Sequence, residues 1–188
     1  MRCRLTLLAA ARCSPVLDTR FDDDRPLDDA GWQAVRRGAP ALVGLAAAAL
    51  RYRSPSERCR ETGYALGLFP LAQPALRDCD MGRWRGRTLG EVAAREPDAV
   101  DAWLRDPYTA PHGGESLTAF IGRIGHWLDT RPAADDEWMV AVTEPAVLRA
   151  ALCHALKTPP HAYWRIDAHP LAAVTLTGTA GDWHLSCA

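Results

Sequence analysis

The sequence predicts an α/β fold: a three-layer sandwich with a mostly parallel central sheet and helices on both faces. Two short apolar runs carry the expectation, Arg4-Leu5-Thr6-Leu7-Leu8 leading into Ala9 to Ala11, and Val140-Ala141-Val142-Thr143 leading into Glu144-Pro145. Both stop abruptly, as strands do when they are buried between helices and their carboxyl ends open into turns. Strand-like pieces alternate with helical spacing along the chain, which argues for a parallel sheet covered on both sides. In such a sheet the ligand crevice lies beyond the carboxyl ends of the strands. Ala9 to Cys13 and Thr143 to Pro145 are therefore expected to border any site, and what stands after the first strand is mostly alanine.

Composition narrows the class. The chain has 188 residues, 48% hydrophobic and 24% charged, which suits a single domain over residues 1–188 with a sizeable core. A formal net charge of −1 gives no basic footprint for nucleic acid or for an anionic membrane. Lys157 is the one lysine, and the arginine bias is explained as well by GC-rich coding as by a ligand. Cys3, Cys13, Cys59, Cys79, Cys153 and Cys187 are scattered without a CxxC pair, so they read as reduced thiols. Met1 to Ala11 fits a first strand better than an export signal. No stretch approaches the roughly 20 apolar residues of a membrane span, and a cytoplasmic protein is expected.

Taken in order, the first strand is followed by an Asp-rich loop over Ser14 to Asp29, in which Asp22-Asp23-Asp24 reads as solvated rather than metal-binding. Ala30 to Arg37 is expected to be helical and broken by Gly38 and Pro40. Ala41 to Leu50 then continues as an alanine-rich helix. Tyr52 and Arg53 end a short strand, and Ser54-Pro55 opens a helix from about Ser56 to Leu66, with Glu57 and Glu61 placed favourably for its dipole. Pro74 to Arg77 is expected to be extended and to lead into the loop Asp78 to Gly86. Thr88 to Arg95 and Asp98 to Leu104 are short helices separated by Pro97. Leu117, Phe120, Ile121, Ile124, Trp127 and Leu128 give Glu115 to Leu128 an amphipathic helical spacing. Trp138 to Thr143 is the second core strand, Ala146 to Leu156 a helix, and Leu171 to Thr177 with Trp183 to Cys187 a closing strand pair around Gly178 to Asp182.

Five places, in this order and spacing, resemble the histidine phosphatase superfamily, the phosphoglycerate mutase-like group. Arg4 to Ala11 resembles the family's first strand, which ends in Arg-His-Gly. Ser54-Pro55, Arg58 and Thr62 resemble its Ser-Pro-x-x-Arg-x-x-x-Thr helix start. Leu76, Asp78, Gly82, Trp84 and Gly86 resemble its Leu-x-Glu-x-x-x-Gly-x-Trp-x-Gly loop. Gly113-Gly114-Glu115-Ser116 matches a Gly-Gly-Glu-Ser helix start, and Val140 to Glu144 resembles the strand that ends in Thr-His-Gly. The resemblance implies the phosphoglycerate mutase-like fold. It also implies a chemistry in which one histidine attacks phosphorus, two arginines and a second histidine hold the phosphate oxygens, and a carboxylic acid protonates the leaving group.

Carried across position by position, the Arg-His-Gly falls on Ala9, Ala10 and Ala11, and the second histidine falls on Glu144. Arg58 remains at a phosphate-contacting position, and Asp78 stands at the acid position. Arg12 lies three residues late for the missing arginine. The expectation is a degenerate pocket: a pseudo-phosphatase with a binding, regulatory or accessory role, needing no cofactor. It would serve a small molecule or a protein partner, and a homodimer stays open. As alternatives, Glu144 and Asp78, with His112 as a displaced base, form an acid–base pair for a non-phosphorylated substrate, or a residual phosphomonoester hydrolase survives. Ligand contacts are expected from Arg58, Arg12, Glu115 and Ala10, and a carboxylate-rich cation site from Asp78, Glu115 and Glu144 is the least supported option. Cys79-x5-Arg85 fits the cysteine-phosphatase spacing, but Asp80 inside the loop argues for chance. Trp84 and Trp103 are expected to pack rather than stack on a base. His154, His161, His169 and His184 show no ligand spacing.

Overall fold

Alternation within the first strand decides the layers. In the computed structural model, which describes residues 3–11, 20–21, 23–130 and 136–186, β1 (Cys3–Ala9) sends Leu5, Leu7 and Ala9 to one face of the sheet and Leu8 to the other. A strand whose two faces are both apolar needs cover on both sides. That cover comes from α5 (Leu117–Asp129) and α6 (Pro145–Ala155) on the first face, and from α1 (Asp29–Leu42) and α2 (Glu57–Ala65) on the second. The remaining strands are β2 (Leu50–Arg53), β3 (Leu71–Ala72), β4 (Trp138–Thr143), β5 (Ala173–Thr179) and β6 (Asp182–Ser186). They form one six-stranded sheet in the order β3-β2-β4-β1-β5-β6. The β3-β2, β2-β4 and β4-β1 pairings are parallel, while β5 and β6 close the sheet as an antiparallel pair beside β1.

The register brings the carboxyl ends of three strands level: Ala9 faces Thr143, and Arg53 faces Val142. Three helices are capped by a residue that leaves helical geometry and offers a side-chain acceptor. Ser56 caps α2, Ser116 caps α5, and Thr88 caps α3 (Leu89–Arg95) in a reciprocal capping box with Glu91. A short helix, α4 (Pro97–Arg105), follows α3 directly. Met81, Trp84, Val92 and Val100 form a satellite core beneath this pair, flanked by Phe21 and Trp103. Trp84 is fully buried and Trp103 packs edge-on against it at 5.8 Å, so both tryptophans pack as expected.

Three local expectations are corrected. Gly38 and Pro40 do not break the first helix; α1 runs through both to Leu42. Pro40 lies in the last turn, where its missing N–H costs a single backbone bond, and Gly38 gives Leu171 room to pack, since a Cβ there would meet its side chain at 3.0 Å. The alanine-rich stretch to Leu50 is not helical throughout. It tightens into a 3₁₀ turn, Val43–Ala47, and then extends into β2, because Leu45 and Ala48 are docked in the core and the Ala49 N–H donates to the Trp138 carbonyl at 2.9 Å. Pro74–Leu76 is a 3₁₀ turn rather than an extended piece, and the extended residues are the preceding edge strand β3.

Phe120 has no exposed surface and packs edge-on against Tyr163 in the larger core. Phe120→Ala should cost about 3–5 kcal/mol through lost contacts and a residual cavity, lowering Tm by about 6–20 °C in a domain of this size. A thermal melt showing a fall of only about 2 °C would mean that this face of the sheet is not sealed by α5.

Candidate functional site

The cleft opens where the sheet order places it, beyond the carboxyl ends of β1, β2 and β4. Its floor is built from two helix starts. β2 turns at Ser54-Pro55 into α2, whose cap Ser56 accepts from the Cys59 N–H at 3.4 Å through Oγ and donates the same hydroxyl to Glu144 Oε1 at 2.6 Å. Glu144 follows β4 and begins α6, with its side chain 4% exposed. Arg58, in the first turn of α2, places Nε 3.1 and 3.0 Å from the two oxygens of that carboxylate. Its Nη2 donates to the Asp23 carbonyl at 2.7 Å and lies 3.2 Å from the Asp23 carboxylate. Thr62, one turn on, accepts from the Ala11 N–H at 3.2 Å and so fixes the chain that leaves β1.

Charge on this floor is settled internally. Burial pulls the Arg58 guanidinium down, but Glu144 and Asp23 outweigh it and hold the group above its usual range, fully charged. The Cys59 thiol donates to Glu144 Oε1 at 3.6 Å, and burial with the Glu144 charge pushes it far up. A thiol so placed stays neutral and is no nucleophile. Asp24 takes the Glu57 N–H at 2.7 Å, so the amino end of α2 is also occupied by a carboxylate.

The walls come from Arg77, Asp78, Asp80 and Arg85, in the loop after the Pro74–Leu76 turn, and enclose about 270 Å³. With Asp23, Asp24, Arg58 and Glu144 the lining holds five carboxylates against three guanidinium groups, a formal charge of −2. Arg123 of α5 braces this loop from behind. Its Nη1 donates to the carbonyls of Ala75 at 2.7 Å and Arg77 at 3.1 Å, and its Nη2 to that of Asp78 at 3.2 Å.

The sequence-expected residues divide. Glu144, Arg58 and Asp78 line the same cleft. Glu115 does not: both its oxygens are taken by Arg123, at 2.9 and 2.7 Å, making it the counter-charge of the brace rather than a ligand contact. His112 is not at the cleft mouth either. It is 1% exposed and stacks near Trp84 at 5.0 Å, so it cannot serve as a displaced base there. Ala10 is buried and gives its N–H to the Thr143 carbonyl at 2.8 Å, so its methyl packs behind the cleft without lining it. Arg12 lies outside the described residues. Among the described residues no cluster of His, Cys, Asp or Glu could hold a metal, so Asp78, Glu115 and Glu144 do not meet as a cation site. Cys79 is no phosphatase nucleophile: burial and then Glu115 push its thiol up, and it donates to the Glu115 carbonyl at 3.5 Å. Ser56, Asp23 and Arg123 are the residues that sequence reasoning missed. Only Ser56 had a signal, as a helix cap.

A sandwich of this topology, with its cleft formed by a Ser-Pro helix start, a braced loop and the amino end of α6, defines a phosphoglycerate mutase-like domain. The chain belongs to the histidine phosphatase superfamily (branch 1), whose profile matches residues 18–188. It is 32% identical over 171 residues to a glucosyl-3-phosphoglycerate phosphatase of Mycolicibacterium vanbaalenii, covering 84% of this chain and 72% of that protein. Over 102 residues it is 32% identical to a bifunctional protein of Mycobacterium tuberculosis, and there it spans 52% of this chain but only 28% of the relative. Among solved structures, Bacillus stearothermophilus YhfR superposes with a TM-score of 0.83 at 23% identity, over 98% of this chain and 95% of that one. A mycobacterial glucosyl-3-phosphoglycerate phosphatase in complex with VO3 does so with a TM-score of 0.79 at 25% identity, over 97% and 96%.

Because Arg58 neutralises a carboxylate that is 4% exposed while itself only 17% exposed, Arg58→Met should cost about 3–5 kcal/mol, the penalty of leaving a buried charge unpaired. Urea unfolding checks this. A loss near zero would show that the pair is screened by water.

Proposed function

We propose that this member of the superfamily binds a ligand in its cleft without transferring a phosphoryl group: a pseudo-phosphatase with a binding, regulatory or accessory role. One observation carries the reading. The carboxylate of Glu144, fixed by Ser56 and Arg58, stands at the position that the family resemblance gives to a phosphate-holding histidine, and it supplies the anion that Arg58 would otherwise take from a substrate. A phosphate oxygen about 4 Å from that carboxylate would be repelled by about 4 kcal/mol at an effective dielectric of 20. The position that the resemblance gives to the nucleophile supports the same reading: Ala10 carries a methyl group, which cannot attack phosphorus, and no histidine is among the described residues lining the cleft. On this reading the chain is one domain that acts in the cytoplasm on a small molecule or a protein partner and needs no cofactor. Among the described residues no helix is long and apolar enough to cross a membrane.

A second reading, phosphomonoester hydrolysis, draws on the relatives named as glucosyl-3-phosphoglycerate phosphatases and on Arg58, Arg77 and Arg85 in the lining. Acid–base chemistry by Glu144 and Asp78 has less support, because Glu144 spends its oxygens on Ser56, Arg58 and Cys59.

Turnover of p-nitrophenyl phosphate and of glucosyl-3-phosphoglycerate should not exceed the buffer rate. Rapid quench with a ³²P-labelled phosphomonoester should trap no phosphoenzyme. Hydrolysis that disappears in Asp78→Asn, with Tm unchanged, would overturn the reading and favour the second one.

A further inference from the structure

His112 sits in a contact closer than side chains ordinarily permit. The loop over residues 78–86 and the loop over residues 110–115 meet backbone to backbone. The Arg83 N–H donates to the His112 carbonyl at 3.0 Å, and the Glu115 N–H to the Asp80 carbonyl at 2.8 Å. Gly82 and Gly114 make the approach possible: a Cβ on Gly82, where φ is +48°, would lie 2.3 Å from the His112 oxygen, and one on Gly114 would lie 2.0 Å from the Asp80 oxygen. The imidazole is sealed inside this joint under the Trp84 ring. Its Nδ1 accepts from the Gly114 N–H at 3.1 Å. A backbone N–H can only donate, so Nδ1 must carry the lone pair and Nε2 the proton. That Nε2–H is buried without a partner.

A buried donor with no acceptor is destabilising and calls for an explanation. Structure alone does not require a histidine here, since a neutral acceptor would hold the Gly114 N–H equally well. We propose that His112 is a positioning residue for the cleft wall, a latch that holds the 78–86 loop, and with it Asp78, Asp80 and Arg85, against the 110–115 loop while its imidazole is neutral, and that releases the loop on protonation. A second proton has to go on Nδ1, where it meets the Gly114 N–H head-on, so the charged ring cannot stay in the closed joint.

The surroundings agree in sign. Burial lowers the proton affinity of His112; of the two charges on the facing loop, Asp80 opposes this and Arg83 adds to it. Glu96 lies one step further out, where it accepts from the Trp84 Nε1–H at 3.3 Å and pairs with Arg83. With its folded value below the ordinary 6.5, the closed latch binds the proton less tightly than the open one. Its contribution is complete above about pH 6.5 and is lost as the pH falls below that.

Hydrogen exchange of the whole protein, corrected for the intrinsic rate at each pH, reads the latch directly. Between pH 7.5 and 5 the Arg83 and Glu115 amides should lose protection below pH 6.5 by up to about tenfold per pH unit, the limit for one proton. In His112→Asn, whose side-chain oxygen can accept from the Gly114 N–H, protection should be independent of pH over that range. In His154→Gln, which removes a histidine that pairs with Asp129 at 2.8 Å, the wild-type dependence should remain. Protection that does not change with pH in the wild type, or a dependence that survives in His112→Asn, overturns the proposal. If His112→Asn does not fold, nitrogen NMR of the wild-type histidines beside the exchange data decides. An Nε2–H imidazole that gains its second proton over the pH range in which the Arg83 and Glu115 amides lose protection upholds the latch, and protection lost with no such protonation refutes it.

Discussion

A carboxylate as buried as that of Glu144 could not be kept charged alone: the desolvation cost is several kcal/mol unless a cation and further hydrogen bonds compensate. Arg58 and the Ser56 hydroxyl supply both, from one turn of α2. The pair therefore fastens the start of α2 to the start of α6, across the carboxyl ends of β2 and β4. It also sets the electrostatics of the cleft. With Arg58 committed to Glu144 and Asp23, and the amino end of α2 committed to Asp24, the positive groups nearest the floor already have counter-ions.

The outer wall depends on a second, half-buried pair. Arg123 and Glu115 brace the loop that delivers Arg77 and Asp78, through carbonyl contacts at Ala75, Arg77 and Asp78. Arg123 suits this task because a rigid planar fork can serve a carboxylate and several carbonyls at once. Downstream the same loop meets the His112 joint, so the floor is pinned by one ion pair and the wall is held at two points. Of these contacts only the one at His112 contains an imidazole, the side chain whose ordinary titration range lies nearest neutrality.

Much of the fold was legible because local signals agreed with it. Strand β4 was read at its observed limits, Trp138–Thr143, and the Ser54-Pro55 turn, the Thr88 to Arg95 stretch and the apolar spacing from Glu115 placed three helices within a residue or two. Where tertiary contacts overrode local preference the reading failed: Pro40 in a terminal turn, Leu45 and Ala48 docked in the core, and β3, two exposed residues with no periodicity to detect. The site was half legible. Arg58, Asp78 and Glu144 sit in ordered motifs, but their partners do not; Ser56 and Glu144 are 88 residues apart in the chain. Nothing in Pro111-His112-Gly113-Gly114 announces burial, since a loop of that composition ordinarily lies in water. The ring is covered because Gly82 and Trp84 of another loop close over it.

Binding of orthovanadate to the wild type and to Glu144→Ala, measured by calorimetry on folded protein, addresses most directly whether Glu144 is the resident anion of this cleft. If it is, the wild type binds only weakly, and removing the carboxylate frees Arg58 and strengthens binding at least about tenfold, the lower end of what relief of a like-charge contact provides. Vanadate binding to the wild type as tightly as to the variant would contradict it, and would mean that the cleft still accepts a phosphate-like ligand with Glu144 in place.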